Sequence, residues 1–520
     1  MGSWYRAVGE DLSQVLRGFA GAMVSLVVVA FAWGEYYVLP GVVLSIGVVL
    51  GLGVAIGVWS RGEDHPSRAQ TFASAALVWL VVGALSGLPF LLVAWSLALA
   101  PSLPFVQVHA LTPTMRVFLH PIDAAYEGLS GITGTGLTMT LREQALPATL
   151  QWWRSLTEWL GGIGVIVLTI AVVRDSESML TQYYEDQSPL GEFDAGDVSN
   201  APRLIFGLFV ALTLLSIGVL WAAGMPLWAA INHGMTAVST GGFSVTDRSM
   251  AAYGAVVRLA LVPVMLAGAV PFPVYYFLLK GRFGNVYSDV QTRWLLALGV
   301  VGSLLVAGTL WLRGTYPSGF RDLAAATFQF VSAITCTGLS TAPALGGWPP
   351  DALLTLVVAM TIGGASASTA SGVKLIRLIS LERGIRNRVR DPFPDEELSS
   401  LDEQVSIAYA SDNYHKASIV VFLWLLFFAA GVGALLLVLP PGTHDVSVRS
   451  VMFEVASAQS NVGLSSGIGG PWMPAAAKAV LMVNMWVGRL ELIPILVFFR
   501  LLLWRAESLD ERLVSSGKSE

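Results

Sequence analysis

The chain has 520 residues, of which 54% are hydrophobic and only 12% charged, about half the charged share of ordinary soluble domains. A mean hydropathy of +0.66 and a formal net charge of −5 argue against a soluble enzyme, a disordered chain and a basic nucleic-acid binder. One cysteine, Cys336, excludes an intramolecular disulfide and a cysteine-based metal site.

Along the chain, the N-terminus lacks a short apolar core followed by a cleavage site, so the run starting near Phe19 reads as a retained span. A bilayer span needs about 20 apolar residues. Uncharged runs of that kind recur near 18–33, 38–60, 70–100, 204–231, 259–279, 294–312, 352–373 and 417–444. Two more carry charge: 151–173, with Arg154 and Glu158, and 476–499, with Arg489 and Glu491. Lipid-exposed backbone must satisfy its own hydrogen bonds, and the runs lack period-two alternation, so ten helices are predicted rather than strands. The fold class is an all-α polytopic membrane protein. Lys and Arg set the orientation. Segments 1–17, 61–69, 174–203, 280–293, 374–416 and 500–520 hold 20 of the 30 basic residues, against nine on the opposite side. The richer side is expected to be cytoplasmic, with both termini. The polar stretches 174–203 and 380–415 then read as cytoplasmic linkers too short for a catalytic module.

Four segments align without gaps over fifteen positions: AAYEGLSGITGTGLT (124–138), AINHGMTAVSTGGFS (230–244), ATFQFVSAITCTGLS (326–340) and VMFEVASAQSNVGLS (451–465). Each holds a glycine at one place: Gly136, Gly242, Gly338 and Gly463. Three residues earlier stands a hydroxyl (Thr133, Ser239, Thr335, Ser460), and six earlier another (Ser130, Thr236, Ser332, Ser457). Nine earlier stands a polar group (Glu127, His233, Gln329, Glu454). With apolar spans on both sides, the unit is span, short half-helix, glycine string, span, used four times. The boundaries are a helix pair at 1–69, repeats at 70–174, 175–280, 281–390 and 412–505, a linker at 391–411 and a tail at 506–520. A string between an outgoing and a returning span is re-entrant, and irregular backbone at membrane depth survives only where protein buries it or water lines it. Four such units around one axis make a pore.

The strings are Thr133, Gly134, Thr135, Gly136; Ser239, Thr240, Gly241, Gly242; Thr335, Cys336, Thr337, Gly338; and Ser460, Asn461, Val462, Gly463. Rings of peptide carbonyls can replace the hydration shell of K⁺ without a full charge that would trap it. Glycine permits the necessary backbone and lets it approach an ion. Four extended residues cover roughly 13 Å, room for more than one ion. Each half-helix aims a partial charge of about −0.5 at the pore interior, favouring cations. Glu127 and Glu454 stand behind the filter as hydrogen-bonding supports. Cys336 offers only its backbone, and His65, His120, His415 and His444 are too scattered for a metal site.

The motifs TGTGLT, STGGFS, TCTGLS and SNVGLSS, with GGASASTASGVK and MWVGRLE, resemble the Trk/Ktr/HKT superfamily of potassium transporters, most closely its TrkH-type subunit, over about residues 70–505. The resemblance implies a single-chain pore of four pseudo-symmetric repeats, preceded by an extra helix pair, in a prokaryotic inner membrane. It implies K⁺ bound only at the filter strings, Rb⁺ permeation, no covalent cofactor, a homodimer and a TrkA-like cytosolic ring of nucleotide-binding regulatory subunits. Glycine in all four strings matches the potassium-selective members, whereas sodium-preferring plant relatives carry serine in the first. No string is a TVGYG, so selectivity looser than a K⁺ channel's is expected.

In Gly363–Lys374, ten of twelve residues are Gly, Ala, Ser or Thr, a run that weakens a helix and is expected to form a loop under the filter. Through the resemblance, Gly363, Gly364, Ala365, Ser366, Ala367, Ser368, Thr369, Ala370, Ser371 and Gly372 match an intramembrane gate; the alternative is a close helix contact. A phosphate-binding loop fails, because GxxxxGK[ST] is unmatched. Arg489 carries a costly charge inside a span and matches a pore arginine that sets a positive barrier; the alternative is a structural ion pair with Glu491 or with another span. Lys374 and Arg377 allow a gate role or simple snorkelling. An ion-coupled (H⁺ or Na⁺) secondary transporter would need a buried titratable group, for which Glu158 is the obvious carboxylate. A membrane enzyme would need clustered ionisable groups, which the sequence does not offer.

Overall fold

The computed structural model describes residues 4–60, 68–100, 110–174, 195–281, 284, 288–317, 319–342, 345–390, 401–440 and 446–503. His65, His444, the 506–520 tail and parts of both linkers lie outside them. The described residues form helices and connecting loops, with no β-strand among them.

Two long apolar helices, α1 (Trp4–Ala32) and α2 (Leu39–Trp59), come first and pack on each other. The first repeat begins with α3 (Arg68–Leu85) and α4 (Leu88–Leu99), continues through the short α5 (Pro113–Val117) and α6 (Pro121–Ile132), and closes with α7 (Ala148–Arg174). The second holds α8 (Ala195–Ala222), α9 (Leu227–Val238), α10 (Ala255–Ala269) and α11 (Phe272–Leu279); the third α12 (Val290–Leu312), α13 (Gly319–Ile334), α14 (Pro350–Ile362) and α15 (Leu375–Arg390). The fourth holds α16 (Leu401–Val438), α17 (Val448–Gln459), α18 (Ala475–Leu490) and α19 (Leu492–Leu503). Helix α16 starts at Leu401, so part of the expected linker is helical.

Among the described residues, six helices are long and apolar enough to cross a membrane, eight if each of two bent pairs counts as one span. The bends are 100° between α10 and α11 and 107° between α18 and α19. Pro271 marks the first, since proline cannot donate to a helix and pushes its predecessor out of helical geometry; Val270 takes φ −81°, ψ 144°. Glu491, at φ 59°, marks the second. The other two expected spans fall on α7 and the shorter α14. Glu35 joins the helix pair to the first repeat: its carboxylate accepts from the amides of Ala148 (2.7 Å) and Thr149 (2.9 Å) and from the Thr149 hydroxyl (2.7 Å). Those are orphan donors at the α7 N-terminus, where an anion is favoured.

Candidate functional site: a four-string ring

The four short helices α6, α9, α13 and α17 end in one closure. In α6, the Gly134 amide donates to the Gly131 carbonyl at 2.9 Å and the Thr135 amide to the Ser130 carbonyl at 2.8 Å, a Schellman motif. Thr240 and Gly241 repeat these bonds to Ala237 (3.3 Å) and Thr236 (2.8 Å), Cys336 and Thr337 to Ala333 (3.2 Å) and Ser332 (2.9 Å). Asn461 and Val462 repeat them to Ala458 (3.2 Å) and Ser457 (2.9 Å). The motif needs a left-handed residue, met by Gly134 at φ 63° but elsewhere by Thr240 (53°), Cys336 (56°) and Asn461 (51°), at a cost of about 1–2 kcal/mol each. Two residues later Gly136, Gly242, Gly338 and Gly463 are again left-handed, at 77°, 90°, 74° and 96°. Alternate residues of each string therefore change hand, which the sequence analysis did not anticipate.

These glycines meet in a closed cycle. A Cβ on Gly136 would overlap the Gly241 carbonyl oxygen, one on Gly242 that of Thr337, one on Gly338 that of Val462, and one on Gly463 that of Thr135. Each string thus presses its glycine on the next string's carbonyl, in the order one, two, three, four, one.

Behind the ring, the polar residue nine before each glycine reaches the hydroxyl two after it. Glu127 accepts from the Thr138 hydroxyl at 2.8 Å and the Met139 amide at 2.7 Å. His233 Nε2 lies 3.0 Å from Ser244 Oγ. The Ser340 hydroxyl donates to Gln329 at 3.3 Å, and that of Ser465 to Glu454 at 2.9 Å. The bond made by the two glutamates expected as supports recurs in all four repeats, and the hydroxyls Thr138, Ser244, Ser340 and Ser465 closing each aligned segment were its unread signal. Arg154 ties two strings together: it pairs with Glu127 at 2.8 Å, donates to the Ser244 carbonyl at 2.7 Å, and lies 4.0 Å over the Phe243 ring. Glu158, fully buried, accepts from the Phe243 amide at 3.0 Å. The hydroxyls of Thr133 and Thr335 donate into their own helices at 2.7 Å, to Leu129 and Val331.

Helix α14 stops at Gly363, which takes φ 70°. Residues 363–374 fold back, the Lys374 amide donating to the Ile362 carbonyl at 2.9 Å. This loop lies against the α10–α11 bend, with the Ala365 amide on Ala269 (3.1 Å) and the Phe272 amide on Ala367 (2.9 Å). The Thr369 hydroxyl lies 2.9 Å from the Val238 carbonyl, at the base of the second string, and 2.8 Å from that of Gly268. Gln291 accepts from the Ser366 amide at 2.8 Å. The Cys336 side chain is buried as a free thiol. Arg489 sits below the first string, Nη1 3.5 Å from where a Cβ on Gly134 would stand. It donates to Thr369 O, Ser371 Oγ and Gly161 O, each at 3.0 Å. Glu491 turns instead to Arg377 and to Lys374, the latter at 3.8 Å. No group of three or more His, Cys, Asp or Glu placed to hold a metal occurs among the described residues.

Comparison with known proteins follows this geometry. Residues 105–510 match the family model TrkH, described as a cation transport protein. The chain is 29% identical over 448 residues to the Trk system potassium uptake protein TrkH of Halomonas elongata, covering 84% of this chain and 86% of that one. It is 26% identical over 442 residues to an uncharacterised cation transporter of Methanocaldococcus jannaschii, covering 84% and 83%. Its fold is similar to the crystal structure of the potassium transporter TrkH from Vibrio parahaemolyticus, with a TM-score of 0.76 at 24% identity over 96% of this chain and 98% of that one.

Proposed function

The chain belongs to the TrkH family of cation transport proteins, multi-pass membrane transporters rather than enzymes, and from that premise we propose that it conducts K⁺ inward through a gated pore lined by the peptide oxygens of its four strings. The cyclic contact of Gly136, Gly242, Gly338 and Gly463 with neighbouring carbonyls carries this reading. Alternating backbone hand, repeated four times, suits carbonyls aimed at a shared axis, where they replace hydration water without a trapping charge. The negative ends of α6, α9, α13 and α17 add cation preference. Residues 363–372 act as the gate, held shut by Arg489, whose fixed charge also limits ion flux below the filter.

Flow is passive and follows the membrane potential. Glu158 answers the Phe243 amide behind the second string, a structural duty that argues against the ion-coupled alternative. By family likeness, two copies assemble and a cytosolic nucleotide-binding ring works the gate, with both termini on the cytoplasmic side in accord with the Lys and Arg bias. K⁺ and Na⁺ uptake into proteoliposomes, with and without a nucleotide-binding partner, tests the proposal. K⁺ current reversing at the Nernst potential supports it. Reversal displaced by a pH or Na⁺ gradient would mean coupling and sink the passive pore.

A further inference from the structure

A cleft of about 280 Å³ opens between α1 and α2, lined by Glu10, Ser13, Arg17, Val54, Gly57 and Val58. It lies far along the chain from the filter strings and has no part in the pore reading. Residues 10, 13 and 17 share one helix face, because spacings of three, four and seven return to the same side. At 1.5 Å per residue, Glu10 and Arg17 stand about 10 Å apart along the axis. Between them the buried Ser13 donates to the Gly53 carbonyl at 2.8 Å, and a Cβ on Gly57 would overlap its hydroxyl. The Arg17 stem lies on Gly53, its Cγ 3.2 Å from where a Cβ would be. Arg17 Nε donates to Ser13 O at 3.3 Å; no other hydrogen bond or ion pair engages Arg17 or Glu10 among the described residues.

The cleft thus presents a cation and an anion without ion-pair partners. Both sit in the first half of a membrane-length helix, Arg6–Ala32, before the apolar run that begins near Phe19. That is headgroup depth. Val54 and Val58, 49% and 60% exposed, wall the cleft at the level of Arg17 and Ser13, since Gly53 packs on Arg17 and Gly57 on Ser13. We propose that the cleft seats the headgroup of phosphatidylethanolamine, its phosphate on Arg17 and its ammonium on Glu10. Guanidinium binds phosphate with paired, charge-assisted bonds, and the carboxylate selects an ammonium over an uncharged headgroup.

The test is native mass spectrometry of the full chain from micelles holding equal phosphatidylethanolamine, phosphatidylglycerol and phosphatidylcholine. The unaltered chain is expected to retain the ethanolamine lipid preferentially. Arg17→Gln should lower retained phospholipid about tenfold, Arg17→Lys should keep most of it, and Glu10→Gln should keep lipid but lose the preference for ethanolamine over glycerol. Equal retention of all three lipids by the unaltered chain overturns the proposal even where a variant fails to fold, as does preference for the glycerol lipid. Displacement by soluble phosphoethanolamine overturns the lipid as occupant.

Discussion

Arg489 donates from Nη1 to the peptide oxygen of Thr369 at 3.0 Å, while its Nη2 holds Gly161 at the same distance. One side chain of the last repeat therefore fastens the 363–374 loop to a helix of the first repeat. Arg489→Gln removes the charge and most of this geometry. Hydrogen bonds from a charged donor contribute about 1.5–3 kcal/mol each, so basal K⁺ flux is expected to rise about tenfold. Efflux of Rb⁺ tracer from proteoliposomes without a partner measures it, and unchanged flux removes the loop's latch.

The loop has a second fastening in the Thr369 hydroxyl, shared between Val238 and Gly268. Thr369→Val, nearly the same size, should raise basal flux less than Arg489→Gln. Shortening the 363–372 segment should raise it more than either. The rank order is the readout; flux equal in all three says the loop is not a barrier.

Gly242→Ser places a Cβ on the Thr337 carbonyl at a backbone φ of 90°. The second string must shift, so K⁺ over Na⁺ selectivity should weaken while the chain still inserts. Competition uptake assays decide, and an unchanged ratio refutes the carbonyl ring at that string.

Glu127 and Arg154 pair with side chains 0% and 2% exposed. Glu127→Ala leaves Arg154 buried without its carboxylate, a loss of about 3–5 kcal/mol. The melting temperature in detergent should fall markedly, and Glu127→Gln should recover part of it, since Gln329 serves the third string.

Glu143 lies in the loop after the first string, where burial raises its pKa to about 7 despite the opposing field of Arg154, with Asp247 and Glu127 adding to the rise. A carboxyl whose pKa is raised on folding binds its proton more tightly when folded, so its contribution to stability falls as pH climbs from about 4.5 to 7. Melting curves between pH 5 and 8 should show this decline, and Glu143→Gln should flatten it. An identical slope in the variant assigns the decline to other groups.

Apolar run length was enough to read an all-helical membrane fold, because hydrocarbon imposes one demand on every span. The fifteen-residue alignment was enough to find Gly136, Gly242, Gly338 and Gly463, because identical backbone duties leave identical residues. Backbone hand was not legible: Thr240, Cys336 and Asn461 adopt a conformation that only Gly134 advertises, tertiary closure overriding local preference. Nor was the partner of Glu491, since Arg377 is over a hundred positions away and meets it only when α18 breaks. The α10–α11 bend could be guessed from Pro271, but not that it would cradle Ala365 and Ala367.

Four unlike quadrants on one polypeptide have an evolutionary corollary. In an assembly of identical subunits, one codon change strikes every side of the ion's path at once. Here a change at Gly338 falls on the third string and on the Val462 carbonyl of the fourth, leaving the first two intact. Such a chain can change its preference by altering one string and its neighbour rather than all four at once.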